Sequence, residues 1–258
     1  MKKLAATLLL ACALPLALAH SQTPEEKGLE IATAAKKANA GYVGESSEME
    51  MVLINAHGDR TERRMVSVIS EAPDDGDKSR IEFLWPADVK GSRMLTWAHK
   101  DKDDDQWLFL PAINRTKRIA ARNKSGSFMG SEFAYEDLGS QEPEKFAHKL
   151  IAEETLGDRS VWKTERAPLN ADSGYSREIV WLDKEYMNPT KIEYYDRKGE
   201  LLKTAIFSDY RKTGQWWRPF RIEMANHQTK KSSVLTWTKR ELSVTHNAVL
   251  FASDELGS

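Results

Sequence analysis

The side chains that could do covalent chemistry are scattered along this 258-residue chain. Its histidines are His20, His57, His99, His148, His227 and His246. No two stand at metal-ligand spacing, and no HExxH occurs. Asp103-Asp104-Asp105 resembles half of a calcium loop but lacks the glycine and the closing glutamate, so it reads as a solvated turn. Ser125, Ser127 and Ser131 lie near glycines, yet no GxSxG and no partner base accompanies them. There is no P-loop and no GxGxxG after a strand. The expectation is a protein that is not an enzyme and needs no metal or other cofactor.

What the chain offers instead is apolar chemistry beside charge, concentrated in residues 107–138. A strand-like run, Trp107-Leu108-Phe109-Leu110, stops at Pro111. A basic stretch follows with Arg115, Lys117, Arg118 and Arg122, then Phe128-Met129-Gly130-Ser131-Glu132-Phe133, then the acidic close Tyr135-Glu136-Asp137-Leu138. Large apolar side chains beside a charged rim suit an amphiphile. Phe128, Met129, Gly130 and Phe133 are the expected gate, with glycine supplying backbone freedom. Arg115, Lys117 and Arg118 read either as one solvated cationic strand or as a strip that meets an acidic headgroup. Strand alternation selects Met49, Met51, Leu53, Phe83, Trp85, Trp97, Trp107 and Phe109 as the expected lining of an apolar hollow. Methionine suits such a wall because it adapts to varied shapes.

The elements that must position these groups follow from the ends inward. Lys2 and Lys3, an apolar run over Leu4–Leu18 and the small-residue site Ala17-Leu18-Ala19 form a cleavable export signal, expected to be cut after Ala19. Leu9-Leu10-Ala11-Cys12 is a passable lipoprotein signal, but the apolar run continues past it, so anchoring at Cys12 is disfavoured. Cys12 is the one cysteine, so the exported chain has no disulfide and no thiol chemistry. Two of the 38 basic groups leave with the signal, and 36 remain against 39 acidic ones. That balance gives no drive toward nucleic acid. Eight Trp, eight Phe and eight Met are a generous apolar stock for so polar a chain.

Thr23-Pro24-Glu25-Glu26 starts a helix expected near 24–40. From residue 46 the period becomes two. Strand signals over Met49–Leu53, Arg60–Ile69, Ile81–Trp85, Arg93–Ala98, Gln106–Leu110 and Arg115–Ala121 alternate with turn chemistry. The second half repeats the texture over Phe146–Glu153 (readable also as helix), Ser160–Arg166, Arg177–Leu182, Lys191–Tyr195, Leu201–Tyr210, Arg218–Asn226 and Val234–Leu242. The reading is about ten or eleven strands with connections short enough only for antiparallel neighbours. No linker divides residues 20–258, so they are expected to form one domain. The fold class is mainly β: one strongly curved antiparallel sheet, an incomplete barrel. An N-terminal helix and a short helical or loop lid would cover its apolar cavity. A transmembrane barrel is disfavoured by the frequent charges on its strands.

Several of these segments resemble a known family. Phe83-Leu84-Trp85-Pro86-Ala87-Asp88-Val89-Lys90-Gly91, Trp107-Leu108-Phe109-Leu110-Pro111-Ala112, Arg118-Ile119 and Phe128 through Leu138 are similar to outer-membrane lipoprotein-sorting proteins. These form the LolA-like branch of the LolA/LolB superfamily. Pro189-Thr190-Lys191-Ile192 and Asp196-Arg197-Lys198-Gly199 continue the likeness; Glu132 stands where Asp is expected. The resemblance implies a periplasmic carrier that takes acyl chains of lipoproteins or other lipids into a hydrophobic cavity for transfer toward the outer membrane. Its partners would be that cargo and an inner-membrane transporter of RND or ABC type. Alternatives are an accessory of an RND-type exporter handling a non-lipoprotein lipid, or a periplasmic enzyme acting on lipid.

Overall fold

A computed structural model describes residues 22–139 and 141–258. The expected signal segment, with Cys12 and the cleavage point at Ala19, lies outside the described residues. One helix opens the fold, α1 (Pro24–Asn39). The Thr23 hydroxyl accepts from the Glu26 amide at 3.2 Å, and the Glu26 carboxylate accepts from the Thr23 amide at 2.8 Å. This reciprocal cap, with Pro24 at the first helical position, starts the helix by local chemistry alone.

Thirteen strands follow. The first six are β1 (Gly44–Ile54), β2 (Arg60–Ser70), β3 (Lys78–Trp85), β4 (Arg93–Trp97), β5 (Asp105–Leu110) and β6 (Arg115–Arg118). The others are β7 (Phe146–Leu156), β8 (Arg159–Pro168), β9 (Tyr175–Asp183), β10 (Pro189–Asp196), β11 (Leu201–Thr213), β12 (Trp216–Asn226) and β13 (Ser232–Leu242). They form one antiparallel sheet in the order β6-β5-β4-β3-β2-β1-β13-β12-β11-β10-β9-β8-β7. Two meanders meet where β1 pairs with β13. The count exceeds the expected ten or eleven because every candidate segment became a strand. The short basic piece pairs with β5, and 146–156 pairs with β8 rather than coiling as a helix.

The sheet is open, with β6 and β7 as its edges. It is also strongly curled. Lys145, just before β7, forms an ion pair with Asp104, just before β5. At about 4.8 Å per strand these positions would lie roughly 50 Å apart on a flat sheet. So many strands must curl or split to stay compact, and this sheet curls. Helix α1 covers the β7 edge so closely that a Cβ on Gly28 would stand 2.6 Å from the Lys149 backbone nitrogen. Only glycine permits that approach.

The main core lies on the inner face. Met49, Met51, Met65, Phe83, Met94, Leu108, Val180, Leu182, Ile192, Tyr194, Met224 and Leu235 belong to it, with Phe128 and Phe133 from the segment between β6 and β7. A second cluster sits on the outer face of β4 and β5. There Leu95 and Phe109 are buried with Phe251 and Leu256 of the C-terminal segment, and Trp97 and Trp107 pack against them.

Candidate functional site

The inner face is not filled. Among the described residues two hollows on it are bordered by the segment that follows β6. The larger, about 710 Å³, lies under α1 and against β8–β11. Ile31 and Ala35 of α1, Val180 and Leu182 of β9, Ile192 and Tyr194 of β10 and Phe207 of β11 supply its apolar wall. Its rim carries Lys36, Lys100, Lys102, Asp101 and Asp103. The smaller, about 260 Å³, is lined by Met49, Met51, Met65 and Met224 with Ile222, Leu235, Phe128 and Phe133. Asp137, Tyr194 and Phe207 belong to the walls of both. Four methionines around one hollow give a wall that can repack against different shapes.

The segment after β6 is fastened by polar contacts at defined points. Phe128 to Phe133 closes as a tight turn in which the Phe128 amide donates to the Phe133 carbonyl at 2.7 Å. Met129 and Gly130 both take left-handed backbone, with φ of 50° and 79°. Phe128 is fully buried, its ring 5.7 Å from those of Phe83 and Tyr135. Arg63 of β2 donates to the Met129 carbonyl. Burial pushes the Arg63 guanidinium down from its ordinary value, the nearby Asp88 partly offsetting this, and its Nε has no hydrogen-bond partner among the described residues. The Glu132 amide donates to Ser233 Oγ at 2.9 Å, and Asn226 Nδ2 donates to Glu132 Oε2 at 2.7 Å. Lys203 of β11 donates to Asp137 Oδ2 at 2.5 Å and to the Glu132 carbonyl at 3.0 Å. Tyr175 OH donates to Asp137 Oδ1 at 2.7 Å. The side chains of Lys203 and Asp137 are 4% and 5% exposed, so this is a buried ion pair.

Comparison with known proteins bears on this architecture. A domain named for outer membrane lipoprotein sorting, from Vibrio parahaemolyticus, superposes with a TM-score of 0.88 at 42% identity, covering 91% of this chain and 100% of that one. The chain belongs to the LolA-like lipoprotein-sorting family. A family profile described as an uncharacterized protein also matches, over residues 75–258. A DUF1329 family protein from Desulfovibrio piger is 26% identical, with a TM-score of 0.86, 91% of this chain and 99% of that one being covered. A LolA superfamily protein from Nitrosomonas europaea shares the fold at 18% identity and a TM-score of 0.71, over 88% of this chain and 98% of that one. No curated protein matches the chain. Among the described residues no helix is long and apolar enough to cross a membrane.

Within this LolA-like frame the expected site residues separate. Met49 and Met51 stand in the wall of the smaller hollow, as do Phe128 and Phe133. Leu53 packs half-buried against the core, and Phe83 lies wholly inside it beneath Phe128. Four residues expected in the lining are elsewhere. Trp97, Trp107 and Phe109 point to the outer face, where Trp97 Nε1 donates to the Phe251 carbonyl at 2.8 Å. Trp85 is 48% exposed, with the Arg64 guanidinium 5.8 Å from its ring. For Trp97, Trp107 and Phe109 the reason is that β4 and β5 are apolar on both faces. Alternation divides such a strand into two sets but cannot say which set faces inward, and here the C-terminal segment covers the outer one. Met94 and Leu108 take the inner positions instead. Arg115, Lys117 and Arg118 are exposed on the β6 edge and line neither hollow; Arg118 pairs with Asp105.

Most of the larger hollow was not picked out from sequence. Val180, Leu182, Ile192, Tyr194 and Phe207 carried the available signal, since they alternate along β9–β11. The polar groups carried none. Arg166 pairs with buried Glu178 at 2.6 Å. Burial raises the Glu178 carboxyl above its ordinary value, with Arg166 opposing this. Burial likewise raises Glu136, against hydrogen bonds from Ser173 Oγ at 2.7 Å and the Gly174 amide at 2.9 Å. Arg166 and Glu178 meet as directly opposed residues of β8 and β9, whereas Glu136 reaches Ser173 and Gly174 from the segment after β6.

Proposed function

We propose that the chain is a periplasmic carrier that holds acyl chains of lipoproteins or other lipids in the paired hollows, for transfer toward the outer membrane. The observation that carries this reading is the unfilled inner face, whose walls are mostly apolar and come from both halves of the sheet. A hollow of about 710 Å³ is within the range that holds small ligands. Exposing an acyl chain to water costs about 0.8 kcal/mol per methylene, so a chain of about fifteen methylenes needs roughly 12 kcal/mol of shelter. An apolar wall supplies shelter of that kind. Release then requires that binding not exceed what a membrane or the next protein offers.

In this reading the Phe128–Phe133 turn is the gate. It borders the smaller hollow and is fastened by Arg63, Lys203 and Ser233, contacts that can break without unfolding the sheet. The exposed Arg115, Lys117 and Arg118 edge would meet acidic headgroups outside the hollow. An inner-membrane transporter of RND or ABC type would load the carrier.

The test is binding of a fluorescent fatty-acyl probe. Wild-type protein should bind it, and Phe207→Glu, which places a carboxylate in the wall shared by both hollows, should weaken it at least about tenfold. Trp97→Phe, on the outer face, should leave it unchanged. Failure of the wild type to bind, or full affinity in folded Phe207→Glu, would refute the carrier reading.

A further inference from the structure

The larger hollow is not a plain acyl tunnel. Its deep wall holds several charged side chains, and their hydrogen-bond capacities do not balance. The buried or half-buried cations on the lining are committed. Arg166 donates to Glu178 at 2.8 Å and to Gln141 at 2.5 Å. Lys145 pairs with Asp104, and Lys36 pairs with Glu142 at 2.6 Å. Lys124 donates to the Asp104 carbonyl at 2.5 Å, and Lys100 to the Pro73 carbonyl.

One acceptor on the same lining has capacity left. Glu136 is half-buried, and among the described residues its carboxylate accepts from two neutral donors, Ser173 Oγ and the Gly174 amide. A carboxylate has about four lone-pair sites, so half of its capacity stays open. A half-buried acceptor short of donors is destabilising. A group that donates would relieve it, whereas a group that only accepts would meet a like-natured oxygen.

We propose that the larger hollow also binds the head of its amphiphile, and that this head carries a hydroxyl or amine donor that meets Glu136. The proposal rests on the carrier reading and adds a substrate class to it. The apolar tail would run past Tyr194 and Phe207 into the methionine-lined hollow, since those residues belong to both walls. Burial holds the Glu136 carboxyl above its ordinary value, and an ammonium group beside it would restore the charged form. An anionic head would find the reverse.

The experiment is displacement of the fluorescent acyl probe by dodecylamine, dodecanol, methyl dodecanoate and dodecanoic acid, all below their micellar concentrations. The amine and the alcohol should bind at least about tenfold tighter than the ester and the acid, the size of one charged hydrogen bond. In Glu136→Gln the advantage of the amine over the alcohol should fall to within about threefold, because the charge is gone while shape is kept. Equal affinity across the series would overturn the proposal: water would then satisfy Glu136, and the carrier reading would stand. A preference for the acid would overturn it likewise. Absence of probe binding by the wild type would remove the carrier reading itself.

Discussion

Replacing Lys203 with methionine should unfasten the segment between β6 and β7. Lys203 Nζ touches that segment twice, at Asp137 Oδ2 and at the Glu132 carbonyl. It also lies 5.2 Å from the ring centres of Tyr175 and Tyr194. Lys203→Met keeps the stem and deletes the charge, leaving the Asp137 carboxylate buried without its cation. Removing one partner of a buried pair costs about 3–5 kcal/mol. Asp137 keeps the Tyr175 hydroxyl and the Ala134 amide as donors, at 2.7 and 2.6 Å. The expected loss is therefore near the lower bound, about 3 kcal/mol, in urea denaturation followed by tryptophan fluorescence. The double variant Lys203→Met/Asp137→Asn leaves no stranded charge: the amide oxygen can accept from the Ala134 amide while its NH2 donates to the Tyr175 hydroxyl oxygen. It should regain most of that loss, since a buried pair replaced as a unit is often neutral. Amide exchange should rise over residues 127–136 in the single variant while the paired strands β1 and β13 stay protected. A loss under about 1 kcal/mol, or a double variant no better than the single one, would refute the claim that this pair fastens the segment.

Two further outcomes follow from other parts of the molecule. Leu256→Ala opens a cavity beside Leu95 and Phe109 on the outer face; it should cost about 2–5 kcal/mol yet leave acyl-probe affinity unchanged, and altered affinity would show that the outer cluster is coupled to the hollows. Glu136 has a folded-state pKa raised above its ordinary 4.5, so above pH 4.5 the folded chain holds more protons than the unfolded one and this group lowers stability as pH rises through the raised value. Urea midpoints across pH should therefore fall less steeply above pH 4.5 in Glu136→Gln than in wild type, and identical slopes would contradict the buried, uncompensated state of that carboxyl.

Local order was legible because local chemistry makes it. The Thr23–Glu26 cap starts α1 at the expected residue, and period-two runs became strands even where they were ambiguous, as at 146–156. There the tie between helix and strand was broken by pairing with β8 along the whole length, which no local signal encodes. Met49 and Met51 could be placed by alternation because Glu48 and Glu50 beside them are exposed on the opposite face. Trp97, Trp107 and Phe109 could not, because β4 and β5 are apolar on both faces.

The amino-acid order by itself determined the class of the protein: a helix, a succession of antiparallel strands, an apolar and charged segment at 107–138, and a family resemblance carried by the letters of that segment. These depend on caps, periodicity and turn residues, all of which act over a few residues. Tertiary structure decided the rest. The curl of the sheet brings Asp104 to Lys145 and Gln106 to the residue before Glu136, and it leaves the inner face partly unfilled. The C-terminal segment decides which face of β4 and β5 is inside. Such outcomes depend on contacts between residues far apart in the chain, where the free energy of closing the sheet, and not the preference of any one strand, selects the arrangement.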